Sequence, residues 1–261
     1  MFIEFLTQNK FYDRYIDLFA SRLTVENMEA EDSNIDIGDE RRAIEFYNSK
    51  HAITELISSK PDELNATVLF DLEDNLTEDL YFFQRGYRKT QVIVKKAKTI
   101  VPPAGFEVPT KMMYLIYSYN KSELPVYEKE ARFHIDLVRT QPFEDCNKRC
   151  AKILTAYNLL KQNKAPIIVK ASEADEYFDY IDYYDVDGMT KFLEKKSKEE
   201  LNVMIGLYKR IVGNDIIAPE KNEGNVSLVD FIENENRISM NATLQDVQSA
   251  KKLSLKKVDN K

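Results

Sequence analysis

The chain has 261 residues, 43% hydrophobic and 31% charged, enough to bury one large core or two small ones and too apolar for a disordered or fibrous protein. Its 7 glycines and 8 prolines argue against a turn-rich fold, and no glycine falls in a G-x-G-x-x-G or G-x-x-x-x-G-K-[ST] pattern, so neither common phosphate cradle is available. A net charge of -7 gives no long-range pull on a nucleic-acid backbone.

The first twenty residues carry Glu4, Asp13 and Asp17 within an apolar pattern, and no stretch approaches the ~20 apolar residues of a membrane span. The expectation is a cytoplasmic protein with no membrane partner. Phe2, Phe5, Leu6 and then Phe11, Tyr15, Ile16, Phe19 recur at helical spacing, which predicts one or two short amphipathic helices. Residues 28 to 41 are acidic and polar, an exposed connection. The spacing predicts a second helix over Arg41 to Ser58, with Ala43, Phe46, Tyr47, Ala52, Ile53 and Leu56 on one stripe, closed by Pro61. Thr90 to Val94 and Thr99 to Val101 are rich in β-branched residues, with a polar stretch between them, and predict a small hairpin. Pro102, Pro103, Gly105 and Pro109 then impose an extended connection. The helical period returns over Met112 to Tyr119, Tyr127 to Thr140, Arg149 to Gln162, Ala174 to Tyr184 and Asp187 to Ile211. After Ala218 the hydrophobic density falls toward a basic tail. Cys146 and Cys150, with His51 and His134 as the only other soft ligands, do not make a closed zinc site; they read as two reduced thiols on one helix face.

The stretch from Thr140 to Arg149 is a charged loop between two core-type helices. Pro142 stops the first helix and Asn147 to Arg149 begin the second, so backbone N–H groups there face outward at the positive end of a helix dipole. That is an anion pocket. Asp145 stands beside it, able to share a magnesium ion with phosphate oxygens, and Lys148, Arg149 and Lys152 add positive charge. The residues alone leave the alternative open that Asp145 and Asn147 cap a helix.

The loop resembles the signature of the Fic family, H-x-F-x-[DE]-G-N-G-R-x-x-R. The resemblance extends to Gly86-Tyr87-Arg88, Val101-Pro102-Pro103, Val108-Pro109, Ala131, His134 and Ala165-Pro166-Ile167, about 140 residues in all. It implies an all-α fold, a Fic-type helical bundle with a small β-hairpin flap. It also implies ATP and Mg2+ in the loop, and transfer of AMP to a hydroxyl of a target protein docked on that flap. On this reading residues 1–84 are an N-terminal helical region with a possible inhibitory helix, 85–225 the Fic core and 226–261 a peripheral tail. Asp145 takes the metal, Asn147, Lys148, Arg149 and Lys152 the nucleotide, and Phe143 is a core anchor.

Four positions depart from the pattern. Gln141 replaces the family histidine that accepts the proton from the attacking hydroxyl, and a neutral amide is too weak a base for that task near pH 7. His134 lies two helical turns away and reads as a buried core histidine. Cys146 and Lys148 replace glycines, giving an Asn-Lys-Arg run similar to that of the death-on-curing branch, which transfers phosphate to proteins. Lys152 replaces the last arginine, losing its planar fork. Thr24-Val25-Glu26-Asn27 resembles the end of the family's inhibitory helix, with Glu26 expected either to pair with Lys152 or to lie in solvent as an ordinary helix end. The expectation is weak or absent AMP transfer, with a non-catalytic nucleotide- or protein-binding pseudoenzyme and a protein phosphotransferase as alternatives.

Overall fold

The computed structural model describes residues 10–31, 39–80, 85–94 and 97–212. The expected helix at Phe2 to Leu6, most of the acidic connection and the basic tail lie outside the described residues. The described part is a helical bundle: α1 (Lys10–Glu31), α2 (Asp39–Ser59), α3 (Ala66–Thr77), α4 (Val108–Lys121), α5 (Val126–Thr140), α6 (Asn147–Lys161), α7 (Ala174–Asp182) and α8 (Val186–Val212).

The expected periodicity holds in α1, where Phe11, Tyr15, Ile16, Phe19 and Leu23 are buried on one stripe. The helix runs on to Glu31, because the Glu-, Met- and Ala-rich end assigned to the connection is itself strongly helix-forming. In α2 the second half buries Ala52, Ile53, Leu56 and Ile57 as expected. Its first half does not follow the predicted stripe. Tyr47 is exposed, and the buried residues there are Glu45, Asn48 and Ser49, since this turn faces polar groups: Asn48 donates to the carbonyls of Leu76 (3.3 Å) and Glu78 (2.8 Å) at the end of α3. Helix α3 was not foreseen. Asn65 caps it by accepting from Val68 N, and Leu69, Leu72 and Leu76 face inward at 3- and 4-residue spacing.

Helix α6 is the axis of the molecule. Arg149 to Leu160 are buried without a break, because α2, α3 and α5 all pack on it. Helix α5 also packs against α4, α7 and α8, and α1 against α2 and α8. One hydrophobic cluster runs from Phe11 through Ile53, Leu69 and Leu154 to Tyr208.

The expected hairpin is corrected. Among the described residues 85–94 and 97–104 no strand forms, because the backbone donors that a partner strand would use are taken by a side chain. Asp182, at the end of α7, accepts from the N–H groups of Lys98 (2.8 Å), Thr99 (2.9 Å) and Ile100 (3.2 Å). The stem of this flap is held close to α4 by Gly105: a Cβ there would lie 2.2 Å from the Lys89 carbonyl oxygen, so only glycine fits. No helix among the described residues is long and apolar enough to cross a membrane.

Candidate functional site

The loop between α5 and α6 turns at two left-handed residues, Gln141 (φ 47°) and Cys146 (φ 62°). Glycine would meet these angles at little cost, so Cys146 stands in a backbone conformation that favours glycine. The loop is pinned from outside by Arg88, whose backbone N donates to Pro142 O (2.9 Å). Its buried guanidinium donates to the carbonyls of Gln141 (2.5 Å), Thr90 (2.5 Å), Pro103 (2.7 Å) and Thr140 (3.2 Å). A cation at the C-terminal end of α5 also meets the negative end of that helix's dipole. Sequence reasoning counted Arg88 only as a landmark beside Gly86 and Tyr87; its role as the joint between flap and loop depends on contacts more than fifty residues apart. Phe143 anchors the loop from below, fully buried beside the rings of Phe70 and Tyr87, each with centroids 6.4 Å away.

Inside the loop the polar side chains are largely turned on each other. Asn147 accepts from Phe143 N (2.8 Å) and donates to Phe143 O (2.9 Å) and Gln141 Oε1 (3.1 Å). Gln141 Nε2 donates to Val138 O (2.7 Å), and the residue is buried. Both ends of the Gln141 amide are therefore engaged within the loop. Asp145 Oδ1 accepts from Cys146 N (2.6 Å), while Oδ2 lies 3.8 Å from Arg149 Nη2 and the side chain stays 43% exposed. The N-terminus of α6 carries no side-chain cap, which goes against the alternative that Asp145 or Asn147 caps the helix.

The basic residues divide. Arg149 is buried, with Asp145 on one side and Glu45 of α2 on the other, at 3.7 Å; Glu45 also accepts from Arg41 (3.2 Å). Lys148 lies over the Phe178 ring, 5.1 Å from its centroid. Lys152 is buried, 5.3 Å from the Tyr177 ring centroid, and donates to Asn27 Oδ1 (2.5 Å). From the turn that resembles the inhibitory helix, the side chain that meets Lys152 is thus Asn27. Glu26 reaches elsewhere, accepting from Ala171 N (2.6 Å), where it satisfies an orphan donor of the short 3-10 turn before α7. Glu45 was not foreseen, since nothing in the local pattern of α2 marks a residue that meets a loop a hundred positions on.

His134 is a core histidine, as read from the sequence. Its ring nitrogens lie 2.8 Å from Thr155 Oγ1 and 2.6 Å from Tyr177 Oη. Burial, with the Lys152 charge adding to it, pushes its pKa down to about 3, so it is neutral at pH 7. Burial also raises the Glu73 carboxyl on α3 to about 7, aided by the like charge of Asp145 and opposed by Arg85. The Cys150 thiol is held well above its ordinary value by burial, which keeps it protonated and unreactive.

Among the described residues no group of three or more His, Cys, Asp or Glu side chains could hold a metal ion. What the loop offers is one half-exposed carboxylate beside a helix N-terminus, which suits magnesium carried in by phosphates and fits no metal bound by protein alone.

A helical bundle whose central helix starts at such a loop has counterparts among known proteins. Residues 63–159 match the Fic/DOC family. Protein adenylyltransferase fic-1 of Caenorhabditis briggsae is 23% identical over 184 residues, 69% of this chain and 35% of that protein; the chain spans about a third of that relative's length. A Fic domain-containing signalling protein of Bacteroides thetaiotaomicron VPI-5482 superposes with a TM-score of 0.66 at 16% identity, over 84% of this chain and 100% of that one. Fic-1 of Caenorhabditis elegans superposes at 0.59 with 17% identity, over 77% and 64%. The chain carries a Fic domain.

Proposed function

We propose that the loop from Thr140 to Arg149 binds a nucleoside triphosphate, ATP, with Mg2+, and that AMP transfer from it to a target-protein hydroxyl is weak or absent. The uncapped N-terminus of α6 supplies N–H donors for phosphate, and Lys148 and Arg149 supply charge. Asp145 would hold magnesium, which when bound neutralises phosphate charge and polarises the phosphorus under attack. Asn147 serves by holding the loop rather than by reaching out, and Lys152 supports the first turns of α6 from below.

The observation that carries the reading is Gln141. An amide has no basic lone pair near neutral pH, and this one is consumed by Val138 O and the Asn147 amide. Losing a general base costs about 10² to 10⁴ in rate, so positioning and metal charge alone leave at most slow turnover.

The test is incubation of the chain and its Gln141→His variant with a protein lysate and ATP labelled at the α- or the γ-phosphate. Expected is little α-label transfer by the parent and a gain by Gln141→His. Rapid α-label transfer by the parent sinks the weak-transfer reading, and γ-label transfer favours the phosphotransferase. Nucleotide binding is checked apart from chemistry: Mg-ATP at a hundred times its dissociation constant stabilises the folded state by about 2.7 kcal/mol, and an unchanged melting temperature at millimolar Mg-ATP removes the nucleotide from the proposal.

A further inference from the structure

The chain as a whole is acidic, yet residues 85–121 carry eight Lys and Arg against a single acidic residue, Glu107. The rest of the chain holds 29 basic and 43 acidic residues. Part of the local positive charge is consumed inside the fold. Arg85 pairs with Asp71 and Asp74, Arg88 is buried among carbonyls, and Lys98 pairs with Asp179 of α7 at 2.9 Å. Lys111 and Lys121 stand on the exposed surface.

The same segment, 37 residues long, holds half of the large apolar side chains that the described residues leave in solvent. On the flap these are Ile93 and Val101, 83% and 86% exposed. On α4 and the turn before it they are Phe106 (84%), Met113, Tyr114 and Tyr117. Positions 113, 114 and 117 fall at 3- and 4-residue intervals, so they share one face of α4, with Lys121 a turn further on, and Phe106 stands in the 3-10 turn that precedes the helix. The flap and this face are joined at Gly105, where the Lys89 carbonyl comes within reach of any added Cβ. The flap in turn meets the loop: Thr90 Oγ1 donates to Glu144 (2.6 Å), and Arg88 holds Gln141 O. Exposed apolar side chains and lysines thus stand on the flap and on α4, and the flap reaches residues 140–149. Exposed apolar side chains gathered on one segment, with lysines among them, suit a docking site.

We propose that this face, from the flap along α4, docks a short acidic polypeptide segment bearing apolar side chains, and that the protein whose hydroxyl is offered to the loop is acidic around that hydroxyl. The second half of this statement rests on the function proposed above; the first does not. Charge complementarity selects the occupant. An acidic peptide sets its carboxylates against Lys111 and Lys121 while its apolar residues cover Phe106, Tyr114 and Tyr117. The flap meets α7 through the Lys98–Asp179 pair, α7 also carries Asp175 and Glu176, and the bulk of the chain is negative. A polyanion longer than the face, such as a nucleic acid or an anionic bilayer, would meet that negative surface and be repelled; a segment of a few residues would not.

The experiment uses the full chain without nucleotide, so that its outcome is independent of whether ATP binds or reacts. Binding to an immobilised random copolymer of glutamate and tyrosine is compared with binding to a lysine and tyrosine copolymer, each at about 50 and 500 mM salt. Expected is retention on the acidic copolymer alone, weakened at high salt as screening shortens the reach of the charges. Lys111→Glu with Lys121→Glu should lower the affinity about tenfold or more, and Phe106→Ser with Tyr114→Ser likewise. All four positions are exposed, and unchanged melting temperatures verify that the variants fold. Equal retention on both copolymers, no retention on either, or binding untouched by both double variants overturns the proposal. So does tight binding to phosphatidylserine vesicles or duplex DNA that the same variants abolish, and so does self-association of the free chain that the Phe106 and Tyr114 changes abolish.

Discussion

Glu130 is fully buried on α5, where its carboxylate accepts from Tyr119 Oη (2.6 Å) and Asn158 Nδ2 (3.1 Å). Desolvation outweighs these bonds and raises its pKa to about 7. The folded chain thus keeps a proton between about pH 4.5 and 7 that the unfolded chain has released, and the stability tied to this group falls as pH rises through that window. In Glu130→Gln that slope is absent. The variant's stability relative to the parent should climb by about 2 to 3 kcal/mol from pH 4.5 to 7 and level off above, read from urea midpoints at several pH values; a flat difference would mean that Glu130 is already ionised in the fold. The parent's own profile is a sum of opposing terms, since His134, with its depressed pKa, loses stability as pH falls from about 6.5 toward 3. At this scale the sequence showed residue types better than partners. Phe143 as an anchor and His134 as a core group could be read from apolar surroundings and helical spacing. The inward turn of Asn147 and the meeting of Arg149 with Glu45 could not, because each depends on where a distant backbone places an acceptor.

Helices from Val108 onward matched expectation closely, because each has enough turns for its apolar stripe to repeat and proline or polar breaks mark its ends. Helix α3 escaped because its stripe is short and embedded in acidic residues, although Asn65 three residues before Val68 was a legible cap. The flap misled for a physical reason. β-branched residues favour extended backbone, but a ladder also needs its donors free. Asp182 holds three of them and, through its own carbonyl, accepts from Thr99 Oγ1 (2.6 Å). These bonds hold its carboxyl below the usual carboxylate range against the opposing cost of desolvation. Asp182→Ala should therefore release the flap from α7: amide exchange at Lys98, Thr99 and Ile100 should quicken at least about tenfold, as expected when a charge-assisted bond of about 1.5 to 3 kcal/mol is lost, while exchange within α6 stays slow. Unchanged exchange at the three amides would show that the flap is held by something other than this carboxylate.

Across the whole molecule the first and last described helices are tied together by one buried group. Glu200 on α8 accepts from both Tyr15 Oη (3.1 Å) and Arg22 Nη1 (2.9 Å to each carboxylate oxygen) of α1, and the acid is 2% exposed. Since α1 also lends Phe11, Tyr15, Ile16 and Phe19 to the same cluster as α6 and α8, the helices before residue 85 and those after it share one core. A shared core of this kind argues for a single cooperative unfolding transition that takes in α1, α2 and α3 with the later helices. Arg22→Ala tests both points. It leaves the Glu200 carboxylate buried with only a phenol to satisfy it, a loss of about 3 kcal/mol or more where the acid is ionised. Burial already raises the Glu200 pKa with Arg22 present, the arginine opposing the shift; without it the acid takes up a proton more readily, so the penalty is small near pH 4 and grows as the pH rises through the raised pKa. The expected result is one transition in the parent and in the variant, displaced to lower denaturant in the variant, and more so at pH 8 than at pH 5. Two transitions in the parent, only the first of which moves on Arg22→Ala, would mean instead that α1 and its neighbours unfold apart from the bundle that carries the loop.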